Sequence, residues 1–172
     1  MGSLFRARVR QFPDRVAIEG SPVPGSPVPS SPVPTRPGDA ASAGRRLTYR
    51  ELELRVSRLA GALAARGVGR QDRIALLSEN RPEYLEVMLA ASRLGASVAC
   101  QNWRLTAPEL AHCITLVTPR VLITSPRFAE RVAGLPVLER LQLGEDYEAQ
   151  LGAAAPFEAD DAAEPEDALL IL

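Results

Sequence analysis

The sequence predicts an α/β fold, a layered and largely parallel sheet with flanking helices, and three observations carry that expectation. Strand-like and helix-like segments alternate three times between Arg46 and Leu143. The strand-like segments are short, continuous apolar runs, as in strands covered on both faces. The connections between them are short, and such alternation implies parallel strands joined by right-handed helical crossovers. With 172 residues the chain suits one main domain, since a domain of about 150 residues removes roughly 70% of its unfolded surface from water.

Residues 1–19 predict an N-terminal helix and a strand, Arg15–Ile18, entered through Phe12-Pro-Asp14. Residues 20–45 read as a Pro/Ser/Val-rich inserted loop, because Ser-Pro-Val-Pro recurs at Ser21, Ser26 and Ser31 and repeated prolines lack the amide donors that a helix or sheet needs. Its Pro24–Pro27 and Pro29–Pro32 spacings fit a polyproline ligand of the SH3 type. Repeat expansion in a tolerant loop explains the same letters without a partner.

Residues 46–143 form the predicted α/β subdomain. Thr48 and Glu51 make a capping box, Leu52, Val56, Leu59, Ala60 and Leu63 keep the 3.6-residue period, and Gly67 ends the helix. Arg73–Leu77 is a strand candidate; Asn80 and Pro82 start a second helix through Tyr84, Leu85, Met88 and Leu89 to Gly95; Ser97–Cys100 is the next strand. Thr106 and Glu109 form a second capping box, with Pro108 in the first turn where its missing amide does no harm. That helix runs past Leu110 and Ile114 to Thr118-Pro119 and is followed by a strand at Arg120–Ile123, a short helix at Pro126–Val132 and a strand at Val137–Leu143. Residues 144–167 read as an acidic connector, with six carboxylates between Glu158 and Asp167. Residues 168–172 read as the start of a buried core strand stopped in mid-run, an apolar edge expected to make the chain poorly soluble.

A net charge of −1, with 46% hydrophobic and 24% charged residues, describes a globular protein and offers no basic field for nucleic acid. Arg55, Arg58 and Arg66 fall at helical spacing on an expected solvated face. The N-terminus lacks the apolar run of a signal peptide, no eighteen consecutive apolar residues occur, and Cys100 and Cys113 read as reduced thiols, so a cytoplasmic location is expected. All twenty basic residues are arginines, which excludes a GxxxxGK[ST] phosphate loop, and no GxGxxG occurs.

His112, the single histidine, reads as a partly buried structural residue, and no metal site is expected. A nucleophilic Cys100 would need a base, for which His112 is the only histidine candidate, and Glu51, Glu83 and Glu109 sit in first helical turns, so no buried acid pair is marked and no catalytic residue is assigned. Ligands of open α/β sheets approach the carboxyl ends of strands. This makes Asn102, Trp103 and Arg104 the candidate pocket-edge residues for a cofactor; the alternative is that Trp103 caps the core and Arg104 is a surface ion-pair former.

The ordered set Leu47-Thr-Tyr-Arg-Glu-Leu52, Leu59-Ala-Gly-Ala-Leu63, Gly67-Val-Gly69, Asp72-Arg-Ile-Ala-Leu-Leu77, Asn80-Arg-Pro-Glu83 and Leu94-Gly-Ala96 resembles the N-terminal region of the adenylate-forming superfamily. Gln101-Asn-Trp-Arg-Leu-Thr-Ala-Pro-Glu-Leu-Ala-His112 resembles its fatty-acyl and aryl-acyl CoA ligases more than its peptide-synthetase adenylation domains. The resemblance implies an incomplete N-terminal subdomain of that fold, from an AMP-forming acyl-CoA synthetase. Such an enzyme uses ATP, Mg²⁺ and CoA to convert a fatty or aryl carboxylic acid to an acyl adenylate and then to a thioester. The family's phosphate loop and catalytic lysine would lie beyond residue 172, so the chain alone is expected to be inactive and to bind no cofactor by itself; its partner would be the remainder of the ligase. A non-catalytic binding or interaction module derived from that family is the alternative. The insertion at 20–45 puts the local hairpin between Ile18 and Leu47 in doubt.

Overall fold

The computed structural model describes residues 2–19, 45–137, 139–158 and 167–171. All of the inserted loop read at 20–45 except Arg45, and the carboxylates between Ala159 and Glu166, lie outside the described residues.

Helix α1 (Gly2–Gln11) leads through Phe12–Asp14 to strand β1 (Val16–Glu19), which pairs antiparallel with β2 (Arg46–Thr48), so the hairpin that the insertion put in doubt does form. Helix α2 (Tyr49–Ala65) starts on the predicted capping box: the Thr48 hydroxyl accepts from Glu51 N at 3.2 Å, and the Glu51 carboxylate accepts from Thr48 N at 2.8 Å. The Thr48 backbone amide, and then the Thr48 hydroxyl, which donates to the same carboxylate at 2.8 Å, hold the Glu51 carboxyl below its ordinary value. Replacing Thr48 with alanine is expected to cost about 1 kcal/mol, read as a lowered urea midpoint with an unchanged slope.

The predicted periodic residues Leu52, Val56, Leu59, Ala60 and Leu63 are all buried, and each large aliphatic among them contributes about 1.5–3 kcal/mol of transfer free energy. Past the Arg66 C-cap the chain turns at Gly67, where glycine is required for two reasons. Its φ is +77°, and a Cβ there would meet the Arg120 guanidinium at 2.6 Å.

Strand β3 (Arg73–Leu77), helix α3 (Pro82–Leu94), strand β4 (Ser97–Cys100), helix α4 (Ala107–Val117), strand β5 (Val121–Thr124) and strand β6 (Glu139–Gln142) follow, with a 3₁₀ helix at Pro126–Val132 between the last two strands. With β7 (Leu170–Ile171) they make, among the described residues, a five-stranded sheet of order β6-β5-β3-β4-β7 in which every pair is parallel. From β3 the chain steps to β4 on one side, then crosses back over β3 to β5 on the other. Right-handed crossovers in opposite directions put α3 and α4 on opposite faces.

Alternate strand residues serve the two faces accordingly. Ile74, Leu76, Val98, Val121, Ile123 and Leu141 pack with α2 and α3, whereas Ala75, Leu77 and Leu122 pack with Leu110, Ile114, Phe128 and Val132.

Several expectations need correction. Arg81, not Asn80, occupies the N-cap of α3 and makes no side-chain cap; the helix starts on Pro82. The segment read as an acidic connector holds helix α5 (Glu145–Ala153), whose Tyr147 and Leu151 are buried against the first core. The last strand is not buried: β7 lies at the sheet edge with Leu170 and Ile171 exposed, because its second neighbour is absent among the described residues. His112 is exposed rather than partly buried. The solvated arginine face is not solvated either: Arg55 is 15% exposed and ion-paired, Arg58 is half-buried, and Arg66 is half-buried and donates to the Ala62 carbonyl at 2.9 Å.

Candidate functional site

The chain leaves β3 toward one face and β4 toward the other, and the carboxyl ends of such strands are the place where open α/β sheets admit ligands. Three loops meet there: Ser78–Arg81 after β3, Gln101–Thr106 after β4, and Ser125–Phe128 after β5. Main-chain bonds tie them to the sheet, from Gln101 N to the Leu76 carbonyl at 2.9 Å and from Ser125 N to the Leu77 carbonyl at 3.0 Å.

The three residues expected at the pocket edge part company here. Asn102 is spent on its own turn: its side-chain oxygen accepts from Arg104 N at 3.0 Å and its carbonyl from Leu105 N at 3.1 Å. That turn aims the next two side chains. Trp103, half-buried against the second core, stacks on Phe128 with ring centroids 5.9 Å apart and planes at 16°. The Arg104 guanidinium lies 4.7 Å from the Trp103 ring centroid, and that of Arg127 lies 5.5 Å from it. Arg131 braces the loop from below, donating to the carbonyls of Trp103, at 2.6 Å, and Leu105.

The result is a ledge of aromatic surface flanked by two exposed guanidiniums. Among the described residues Arg104 makes no ion pair, whereas Trp103 does cover core residues. The sequence reading did not name Arg127, Phe128 or Arg131. Applying the carboxyl-end rule to Arg120–Ile123, as to Ser97–Cys100, would have pointed to them.

A run of charges extends inward from this ledge. Ser125 Oγ donates to Glu79 at 2.6 Å, Glu79 lies 3.6 Å from Arg81, and Arg81 reaches Glu83 at 3.2 Å. Arg45 lies 3.9 Å from Glu83 and bonds Glu148 at 3.1 Å. Arg55 then grips Glu86 at 2.7 and 3.0 Å and Glu148 at 2.8 and 2.7 Å, and Tyr147 Oη donates to Glu86 at 2.6 Å. Glu83 and Glu86 are 1% and 0% exposed, so two carboxylates, one in the first turn and one in mid-helix, are buried, each held by arginine rather than by the other. Burial, and then the Glu86 carboxylate, push the Tyr147 phenol well up, which keeps it a neutral donor.

This network joins α2, α3 and α5 and is a structural clamp. Among the described residues no cluster of His, Cys, Asp and Glu could hold a metal ion, and no helix is long and apolar enough to cross a membrane. A cavity of about 650 Å³ lies at the opposite, amino end of the sheet, lined in part by Arg66, Arg73 and Arg120. Two of these are engaged: Arg66 lies 3.7 Å from Glu139, and Arg73 donates to the Val117 carbonyl at 2.6 Å. The carbonyl end of α4 also faces that region, which disfavours an anion.

Comparison with known proteins matches residues 5–171 to the AMP-binding enzyme family. Feruloyl-CoA synthase of Amycolatopsis sp. is 45% identical over 104 residues, covering 59% of this chain and 21% of that protein. A fatty acid–[acyl-carrier-protein] ligase, ScoC, of Streptomyces coeruleorubidus is 34% identical over 109 residues, covering 62% and 21%. The chain thus spans about a fifth of the length of these curated relatives. Among solved structures, the N-terminal domain of FACL13 from Mycobacterium tuberculosis superposes with a TM-score of 0.78 at 24% identity, covering 99% of this chain and 40% of that one.

Proposed function

The chain belongs to the AMP-binding enzyme family, as part of its N-terminal region, and from that premise we propose that it forms the front subdomain of a carboxylate–CoA ligase. In the proposed reaction a fatty or aryl carboxylate attacks the α-phosphate of ATP, releasing pyrophosphate and leaving an acyl adenylate. The thiol of CoA then attacks the acyl carbon and expels AMP. Relatives named for aryl and fatty acids support the substrate class. Two unpaired cysteines accord with action in the cytoplasm.

The observation that carries the reading at the level of this chain is the ledge of Trp103, Arg104 and Arg127. A guanidinium laid on an indole offers its own plane to a purine and its N–H groups to a phosphate, so the ledge suits the 3′-phosphoadenosine end of CoA. It lies at the carboxyl ends of β4 and β5, where the fold admits ligands. The chemical step itself demands cations and Mg²⁺ directed at the oxygens of the reacting phosphorus. Residues 1–172 contain no lysine and no phosphate loop, so by themselves they catalyse neither half-reaction.

Two measurements test this. Purified 1–172 is expected to give no ATP–pyrophosphate exchange with any carboxylate, and measurable exchange overturns the assignment of catalysis to other residues. Trp103 is the single tryptophan, so its emission reports on the ledge directly. CoA is expected to quench it at lower concentration than dephospho-CoA does, and Arg104→Ala and Arg127→Ala are each expected to remove that difference. Equal response to the two ligands overturns the ledge as the 3′-phosphate site.

A further inference from the structure

Ser125 stands at the N-cap of the 3₁₀ helix, yet its hydroxyl makes no cap. It is fully buried and donates instead to Glu79, 46 residues earlier in the chain, at 2.6 Å. The bond joins the loop after β3 to the loop after β5, and the first of these is itself held. Ser78 Oγ donates to the Glu79 carbonyl at 2.9 Å, and Arg81 approaches the Glu79 carboxylate at 3.6 Å. From Ser125 the chain passes in two residues to Arg127 and in three to Phe128, which carry the second guanidinium and the aromatic floor of the ledge. The turn reaches the ledge through the Phe128 amide, which donates to the Ser125 carbonyl at 3.1 Å, and Arg127 lies close enough to Glu79 for the two charges to interact.

We propose that Glu79 is a positioning residue for the ledge: its carboxylate, bonded to the buried Ser125 hydroxyl, fixes the turn that holds Arg127 and Phe128 against Trp103. This rests on the reading of the ledge as a nucleotide site. A purely electrostatic role predicts the opposite sign, since a carboxylate near Arg127 weakens that guanidinium's pull on a phosphate, and removing it would strengthen anion binding. A bonded, geometric role predicts loss, because a mobile Arg127 must be ordered when the ligand binds.

The test uses the 1–172 chain with adenosine 3′,5′-bisphosphate as the probe and Trp103 emission as the readout. Glu79→Ala and Ser125→Ala are each expected to weaken binding roughly fivefold. The double variant is expected to be no weaker than either single one, because both remove the same bond. Glu79→Gln retains an oxygen that accepts from Ser125 and is expected to bind within about twofold of the parent. A thermal melt of each variant separates loss of the turn from loss of the fold. Unchanged or tighter binding by Glu79→Ala, while Arg104→Ala and Arg127→Ala still weaken it, overturns the positioning role alone. If the two arginine variants also bind like the parent, the ledge reading falls and takes this proposal with it.

Discussion

Arg55→Ala is expected to cost about 3–5 kcal/mol of folding stability, the range for removing one partner of a buried, hydrogen-bonded ion pair. Arg55 donates to two carboxylates through all three of its nitrogens, and the Glu86 carboxylate it grips is 0% exposed. Without the guanidinium, Glu86 keeps, among the described residues, only the hydrogen bond from the Tyr147 hydroxyl. Domains of this size are stable by about 5–15 kcal/mol, so the variant would stand near the edge of folding. Arg55→Lys is expected to recover little, because one ammonium cannot make two forked contacts. The measurement is urea unfolding followed by circular dichroism, and a loss below about 1 kcal/mol would falsify the claim that the guanidinium is the centre of this clamp.

The same clamp gives stability a dependence on pH. Burial acts to raise the Glu148 carboxyl, but its bonds to Arg55 and Arg45 outweigh that and hold it below its ordinary 4.5. A carboxyl lowered on folding contributes stability that is fully present above its unfolded value and lost as pH falls through the folded value. The loss is therefore expected below pH 4.5, and it is expected to shrink in Arg55→Ala, where one of the two cations is gone.

The contrast between Arg55 and the strands marks what a single sequence can and cannot disclose. Arg73–Leu77 and Ser97–Cys100 were legible because their burial follows from local apolar continuity, and both observed strands have these bounds. Thr48 with Glu51, and Thr106 with Glu109, were legible because a capping box is written within four residues. Arg55 was misread because its partners are 31 and 93 residues away, and an arginine at helical spacing has the same letters whether it meets water or Glu86. Helix α5 was missed for a related reason: nine residues with three acids in the first turn look solvated until Tyr147 finds the space between α2 and α3. At the ledge, the carboxyl-end rule singled out Trp103 and Arg104 because they follow the strand Ser97–Cys100 directly in the chain. Arg127 comes to them across β3, through a crossover that the local sequence does not state.

Gly61 supplies the other large effect, since two tendencies oppose each other at that position. It lies within α2, where replacing glycine by alanine ordinarily stabilises by about 1 kcal/mol. Here the segment after α5 crosses the helix at that point, and a Cβ on residue 61 would overlap the Ala155 carbonyl oxygen. The crossing is fixed on both sides of the polypeptide: Phe157 N donates to the Ser57 carbonyl at 3.0 Å, and Ser57 Oγ donates to the Phe157 carbonyl at 3.0 Å. Phe157 also packs on the first core. A side chain at 61 must lift that segment, losing two hydrogen bonds at about 1 kcal/mol each and part of the Phe157 cover, or else strain the helix by about 1–3 kcal/mol. Both outcomes exceed the gain in helix propensity. Gly61→Ala is therefore expected to lose about 2 kcal/mol and Gly61→Val more, with faster hydrogen exchange at the Phe157 amide than in α2 itself. An alanine variant as stable as the parent would mean that the crossing yields without cost, and that the glycine at this position is not required by the close approach.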